Sequence, residues 1–259
     1  MSARQVVVHP DASVLARATA ARLLTAILDA QSLRDQVHVV LTGGTVGIRT
    51  LAEVADDPVR EAVDWSCVHL WWGDERFLAD GDPDRNETQA RDALLDELPL
   101  PPQNVHAVPA LDDEVTTPEA AAALYADELA RHAAPGASVP TFDVLLLGMG
   151  PDAHVASLFP GHPALDVEGV ATVGVHGSPK PPPLRVSLTF DAIRAAREVW
   201  VVAAGAEKAD AVAAALADAP VHEAPAAGAR GVQRTLWLID AAAARTAAAG
   251  STVPARDVR

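Results

Sequence analysis

Residues 145–161, LLLGMGPDAHVASLFPG, set an aspartate and a histidine directly behind an apolar run. Leu145, Leu146 and Leu147 read as a buried strand that breaks at Gly148 and Gly150. Pro151 then fixes one φ angle, which leaves Asp152 and His154 at the strand's carboxyl end, ahead of a helix-like apolar pattern resuming at Val155. An imidazole with an ordinary pKa near ~6.5 takes and returns a proton at neutral pH. Either Asp152 or Asp74 could hold one ring nitrogen and raise the basicity of the other, so His154 is expected to be a general base. The bland alternative is a capping aspartate beside a satisfied, partly buried histidine. Ser157 lacks the G-x-S-x-G frame of an activated serine. His154 and His162 lack the i, i+4 spacing of helical ligands, and Cys67 is the only cysteine, so no ligand set for a metal is visible.

Three further loops carry chemistry. LTGGTVG (41–47) offers Gly43 and Gly44 for close backbone approach to an anion and Thr45 for a hydroxyl, with the positive end of a following helix behind them. It has neither the Gly-Lys-Ser/Thr of a Walker loop nor a full G-x-G-x-x-G, which makes a nicotinamide-dependent dehydrogenase the least expected activity. WWGDERF (71–77) places Asp74 and Arg76 beyond a buried strand, where an arginine can grip a phosphate or carboxylate in two bonds. GAEKADAV (205–212) puts Lys208 in the first turn of a helix, where its charge opposes the macrodipole by roughly 0.3–1 kcal/mol unless an anion intervenes. Arg185, opening a strand behind the proline run GSPKPPPLRV (177–186), is a further cation.

The elements that must position these loops alternate along the chain. Apolar strands are expected at 5–9, 37–41, 67–72, 104–108, 142–148, 185–190, 198–205 and 235–240. Helices are expected from 13 to about 30, at 48–54, 86–98, 118–132, 191–197 and 206–216, with an alanine-rich tail that is helical or frayed. This order predicts an open, mainly parallel α/β sheet with helices on both faces, Rossmann-like, in one domain over residues 1–259. In such sheets ligands bind beyond the carboxyl ends of the strands, where the four loops lie. The proline run is short and precedes a strand directly, so it reads as an ordered loop.

Composition narrows the partners. With 35 acidic against 20 basic residues, the formal charge of −15 argues against nucleic acid, whose affinity comes from neutralised phosphates. A few local cations still serve a small anion, because screening cuts off surface charge beyond ~8 Å. No apolar run reaches membrane-spanning length, the start has no signal-peptide pattern, and a lone cysteine fits a reducing compartment. A cytoplasmic protein is expected, with no membrane partner and as a monomer or small homo-oligomer.

The segments LTGGTVGIRTL, WSCVHLWWGDERF…DPDRNETQA, VPTFDVLLLGMGPDAHVASLFPGHPAL, SPKPPPLRVSLTF and VWVVAAGAEKADAV together resemble the glucosamine-6-phosphate isomerase/6-phosphogluconolactonase family over nearly the whole chain, most closely its bacterial stand-alone lactonases. The resemblance implies hydrolysis of 6-phospho-D-glucono-1,5-lactone in the oxidative pentose phosphate pathway, without cofactor or metal. It also implies the fold type shared with the isomerase/deaminases. In the deaminases a second acid follows the histidine; here no carboxylate stands between His154 and Asp166. A non-catalytic sugar-phosphate sensor is the rival of another class, and residues 1–12 are too short to hold a DNA-binding segment.

Two departures stand out. The family's central loop reads Gly-Pro-Asp-Gly-His, and Ala153 replaces its middle glycine; if that position takes φ > 0, alanine costs roughly 1 kcal/mol. The family's first loop reads Gly-Gly-Ser-Thr-Pro, against Gly43-Gly44-Thr45-Val46-Gly47.

Overall fold

The computed structural model describes residues 3–250. Strand β1 (Ala3–His9) leads to α1 (Ala12–Gln31), whose cap Asp11 accepts from the N–H groups of Ser13 and Val14. Then come β2 (Val37–Leu41), α2 (Gly44–Asp56), β3 (Val68–Trp72), β4 (Asp74–Arg76), α3 (Asn86–Ala93) and α4 (Pro118–Arg131), the last with Pro118 at its first turn. The rest of the chain forms β5 (Val144–Gly148), β6 (Thr172–Val175), β7 (Arg185–Leu188), α5 (Phe190–Arg194), β8 (Glu198–Ala203), α6 (Ala209–Leu216), β9 (Arg234–Asp240) and α7 (Arg245–Gly250).

Six strands form one sheet in the order β1-β9-β8-β5-β2-β3, parallel at every pairing. Every residue of β2 and β3 is buried, so these apolar runs do not alternate: both faces of the sheet are covered. Trp71, Trp72, Trp200 and Trp237 are among the largest fully buried side chains. From β2 the chain proceeds to β3 on one side, whereas β5 proceeds to β8 on the other. The crevice outside the carboxyl ends of β2 and β5 is therefore the point where strand order reverses, the place an open α/β sheet offers a ligand. Across it the Gly148 N–H donates to Thr42 Oγ1 at 2.9 Å.

Several expectations need correction. The strand at 185–190 exists as β7 but joins a separate antiparallel sheet, β4-β7-β6, rather than the parallel one. It roofs the end of β3, with the Leu188 N–H on Gly73 O at 2.9 Å. Residues 104–108 make only a single bridge, Val105 to Leu70, beside β3. The helix expected at 86–98 stops at Ala93, because Leu94 takes φ −157° and turns the chain so that Leu94 and Leu95 both enter the core. The stretch after Val155 is not helical: Ala156 (φ 49°) and Gly161 (φ 66°) lie in the left-handed region, and Val155 bridges Met149 and Leu158. The alanine-rich tail is helical over Arg245–Gly250, and its remainder, 251–259, lies outside the described residues. Among the described residues no helix is long and apolar enough to cross a membrane.

Candidate active site

A cleft of about 290 Å³ opens at the strand-order reversal, near the lower bound of roughly 300–1,000 Å³ for small-molecule sites. Gly43, Gly44, Thr45, Asp74, Arg76, His154, Arg185 and Lys208 all line it. Asp152 does not line it but stands behind the histidine, with Oδ1 2.5 Å from His154 Nδ1. A carboxylate only accepts, so Nδ1 carries the proton and Nε2 is left with a lone pair. Burial works against the Asp152 carboxylate, but the hydrogen bond and charge of His154, helped by Lys180, overcome it and hold the group at about 2. Asp152 therefore stays a carboxylate throughout the neutral range.

The backbone explains the glycine and the strain beneath this pair. A Cβ on Gly150 would fall 2.1 Å from two ring atoms of His154 and 2.4 Å from Asp152, so only glycine lets the two side chains lie over that turn. The turn closes through the Gly150 N–H to His154 O at 3.0 Å and the Ala153 N–H to Gly150 O at 3.0 Å. Ala153, at φ 64°, occupies the left-handed region that its sequence position anticipates.

Opposite lies the start of α2. The helix begins at Gly44 rather than near Ile48, so the glycine loop is itself the first helical turn. Gly43 is its cap and makes no side-chain capping bond. The first N–H groups of a helix have no partner within it, and the residues that carry them here, Gly44 and Thr45 among them, line the cleft. Gly43 and Gly47 are required by close approach: a Cβ would stand 1.9 Å from Asn86 Oδ1 at the first and 2.3 Å from Thr42 O at the second.

The cations are held differently from one another. Arg185 is buried, and its guanidinium donates to the carbonyls of Lys180, Pro181 and Pro182 at 3.1–3.2 Å, which folds the proline run into an ordered loop. Burial lowers its pKa, against the pull of Asp74. Arg76 donates through one terminal nitrogen to Asp84 O and Asn86 Oδ1, both at 2.8 Å, and its buried Nε has no hydrogen-bond partner among the described residues. The helix expected from 206 opens as a 3-10 turn over Ala206–Lys208, so Lys208 caps α6 instead of lying within its first turn, and burial followed by the charge of Lys180 lowers its pKa against Glu207 and Asp240. Two lysines repelling each other at one cleft wall make a place for an anion.

Asp74 turns elsewhere than to the histidine. Its Oδ2 accepts from Ser157 Oγ at 2.7 Å and lies 3.9 Å from Arg185, so the carboxylate that holds His154 is Asp152. Ser157, fully buried and donating to Asp74, has no exposed hydroxyl for nucleophilic attack.

Asn86 and Lys180 escape the sequence reading, and Glu75 takes a place that the motif WWGDERF does not assign it. Asn86 ties Arg76 to the Asp74 carbonyl, donating to the latter at 2.8 Å. Lys180 lines the cleft from the proline loop. Glu75 is fully buried and accepts from the N–H groups of Arg76, Asn86 and Glu87 at 2.6–2.9 Å, fastening the start of α3 to β4; burial pushes it up to about 7 against Arg85 and these donors. Sequence offers one signal for Glu75 and Asn86: acidic and amide side chains flanking a strand end and a helix start. Nothing in it says that they meet.

Residues 10–237 match the family described as glucosamine-6-phosphate isomerases/6-phosphogluconolactonase. A 6-phosphogluconolactonase from Streptomyces coelicolor is 60% identical over 243 residues, 93% of each chain. One from Mycobacterium tuberculosis is 47% identical over 238 residues, covering 92% of this chain and 96% of that one. Among solved structures, the 6-phosphogluconolactonase from Trypanosoma brucei superposes with a TM-score of 0.79 at 29% identity, covering 95% of this chain and 99% of that one.

Proposed function

The chain belongs to the glucosamine-6-phosphate isomerase/6-phosphogluconolactonase family, and on that premise we propose that it hydrolyses 6-phospho-D-glucono-1,5-lactone to 6-phospho-D-gluconate, with water activated by His154. This is the lactone-opening step of the oxidative pentose phosphate pathway. The observation that carries the mechanism is the Asp152–His154 pair, which aims a basic Nε2 from the carboxyl end of β5.

A δ-lactone is an activated ester, so no covalent intermediate is needed. His154 Nε2 takes a proton from water as the hydroxide adds to the lactone carbonyl. Asp152 stabilises the imidazolium that forms. The imidazolium then protonates the ring oxygen as the C–O bond breaks, and the new carboxylic acid ionises and releases one proton. General base catalysis of this kind is worth ~10²–10⁴-fold. Backbone N–H groups of Gly44 and Thr45 serve the oxyanion, and Arg76, Arg185 and Lys208 hold the phosphate, fixing the carbonyl near the base. Asp74 keeps Arg185 and Ser157 in place rather than touching the reacting atoms.

The chain works as one domain on a small sugar phosphate, in the cytoplasm, as a monomer or small homo-oligomer and without a cofactor. The test is proton release on adding freshly generated lactone at neutral pH. Acceleration over the spontaneous rate is expected, with no ammonia from glucosamine-6-phosphate. A rate equal to background, or ammonia released at a comparable rate, overturns the reading.

A further inference from the structure

The mechanism leaves the amino ends of β2 and β3 unused, and a second group of histidines gathers there. His38 on β2 pairs with His69 on β3, and the segment beside β3 adds His106, whose N–H donates to Leu70 O at 2.9 Å. The three rings form a row, with centroids 4.8 Å and 5.3 Å apart. His132, at the carboxyl end of α4, lies across the row, 4.5 Å from His106 and 5.4 Å from His69.

The hydrogen bonds fix which nitrogens are free. Glu128 Oε1 lies 2.7 Å from His106 Nδ1, so that nitrogen carries the proton and Nε2 directs its lone pair at His69 Nδ1, 2.9 Å away. A carboxylate on the remote nitrogen is the arrangement that orients an imidazole toward a metal and raises its basicity. His38 is arranged otherwise: its Nδ1 accepts from Trp71 Nε1 at 3.1 Å, so it walls the cluster without offering that nitrogen.

We propose that His69, His106 and His132 form a binding site for a divalent transition-metal ion, with zinc the best match to three imidazoles. One nitrogen from each of the three lies within 4.8 Å of the others. Tetrahedral zinc with Zn–N near ~2.0–2.1 Å needs ligand nitrogens about 3.4 Å apart. The His69–His106 pair must therefore open by about 0.5 Å, as the ion replaces the shared proton, and His132 must swing inward. His132 has the freedom, with its side chain 28% exposed, and it borders a surface groove with His38, Ser66 and Cys67 that gives the ion a way in. Glu128 Oε1 also lies 3.4 Å from His132 Nε2, a contact His132 gives up on swinging inward, while Glu128, paired with Arg131 as well, stays as the orienting carboxylate of His106 and water from the groove fills the fourth position.

Such an ion would tie the end of α4 to β3. At ~3.3 Å per residue, the four positions from His69 to Gly73 put it about 13 Å from the catalytic end of the sheet. It is therefore a stabilising site, independent of the lactonase reading.

The test uses full-length protein stripped with a chelator and titrated with zinc against a chromophoric competitor. One equivalent should bind, Tm should rise with zinc concentration, and cobalt in its place should give the visible absorption of a tetrahedral nitrogen site. His132→Ala should lower affinity at least 100-fold and Glu128→Gln 10–100-fold. His154→Asn should leave affinity unchanged, and wild-type turnover should be the same with and without zinc. His132→Ala decides even if substitutions at buried His69 or His106 fail to fold. Absence of stoichiometric binding, affinity unaffected by His132→Ala, or binding lost in His154→Asn, which would place the ion in the catalytic cleft, each overturns the proposal.

Discussion

At the carboxyl end of β5, His154 has one ring nitrogen on an ionised carboxylate two residues away and the other facing a cleft. At the amino end of β2, His38 has its acceptor nitrogen consumed by a tryptophan N–H, and its ring is stacked between a strand neighbour and the core. Strand β2 is buried throughout and β5 at all but its last residue, so hydrophobicity does not separate the proposed base His154 from His38. What separates them is the partner. A carboxylate makes a base of the opposite nitrogen and stabilises the cation, whereas an N–H donor, burial and neighbouring imidazoles keep the ring neutral. Burial, followed by the charges of His69, His132 and His106, pushes His38 down to about 3.

The sharpest way to break this contrast is to exchange the base for a side chain of similar reach. His154→Asn should cut turnover on the order of 10²–10⁴-fold with little change in KM, because only the proton transfer is lost. A folded variant with near-normal turnover would reduce His154 to the structural class of His38.

A smaller loss is expected at the phosphate end. Lys208→Ala should remove the proposed charge-assisted phosphate contact, worth about 1.5–3 kcal/mol, or roughly 10–100-fold in kcat/KM. The variant should discriminate less between phosphorylated and unphosphorylated lactones; full retention of that preference would leave Lys208 with no role in holding the phosphate.

Much of this contrast was legible beforehand at one end and not at the other. The apolar runs of β2, β3, β5, β8 and β9 announce themselves, and parallel pairing alone brings the loops behind β2, β3, β5 and β8 to one edge. Hence Gly43, Gly44, Thr45, Arg76, His154 and Lys208 could be gathered without a structure. Whether Asp74 or Asp152 holds the histidine could not be read, since it depends on side-chain direction at the β4 corner. The small sheet β4-β7-β6 was hidden because Asp74–Arg76 is a short polar stretch and Thr172–Val175 is broken by Gly174, whose missing Cβ admits the start of α4. The histidine cluster was hidden for another reason. His69, His106 and His132 follow no local spacing, and only the packing of α4 on the sheet edge unites them.

Acid should expose that lower cluster. The unfolded chain protonates His38 near its ordinary 6.5, while the folded chain holds the proton off until about 3. Its contribution to stability is thus fully present above pH 6.5 and is lost progressively as pH falls toward 3. In chelator-treated protein, urea midpoints should decline through this window. His38→Asn, which keeps an acceptor near Trp71 Nε1, should flatten the decline, and an unchanged slope would show that His38 is already charged in the fold.

The smallest effect is expected beneath the Asp152–His154 pair itself. Ala153 stands at φ 64° with its methyl buried. Replacement by glycine relieves roughly 1 kcal/mol of left-handed strain. It also forfeits about 0.8 kcal/mol of buried methyl and loosens the unfolded chain. The opposing terms leave stability within about 1 kcal/mol of wild type, measurable as a small shift of the urea midpoint. Turnover should move no more than a few-fold, because the turn is closed by backbone bonds that glycine retains: Gly150 N–H to His154 O and Ala153 N–H to Gly150 O. A tenfold or larger change in turnover in Ala153→Gly, at unchanged stability, would mean that the strained alanine sets the aim of His154, and the difference between the two ends of the sheet would then rest on backbone strain as well as on hydrogen-bond partners.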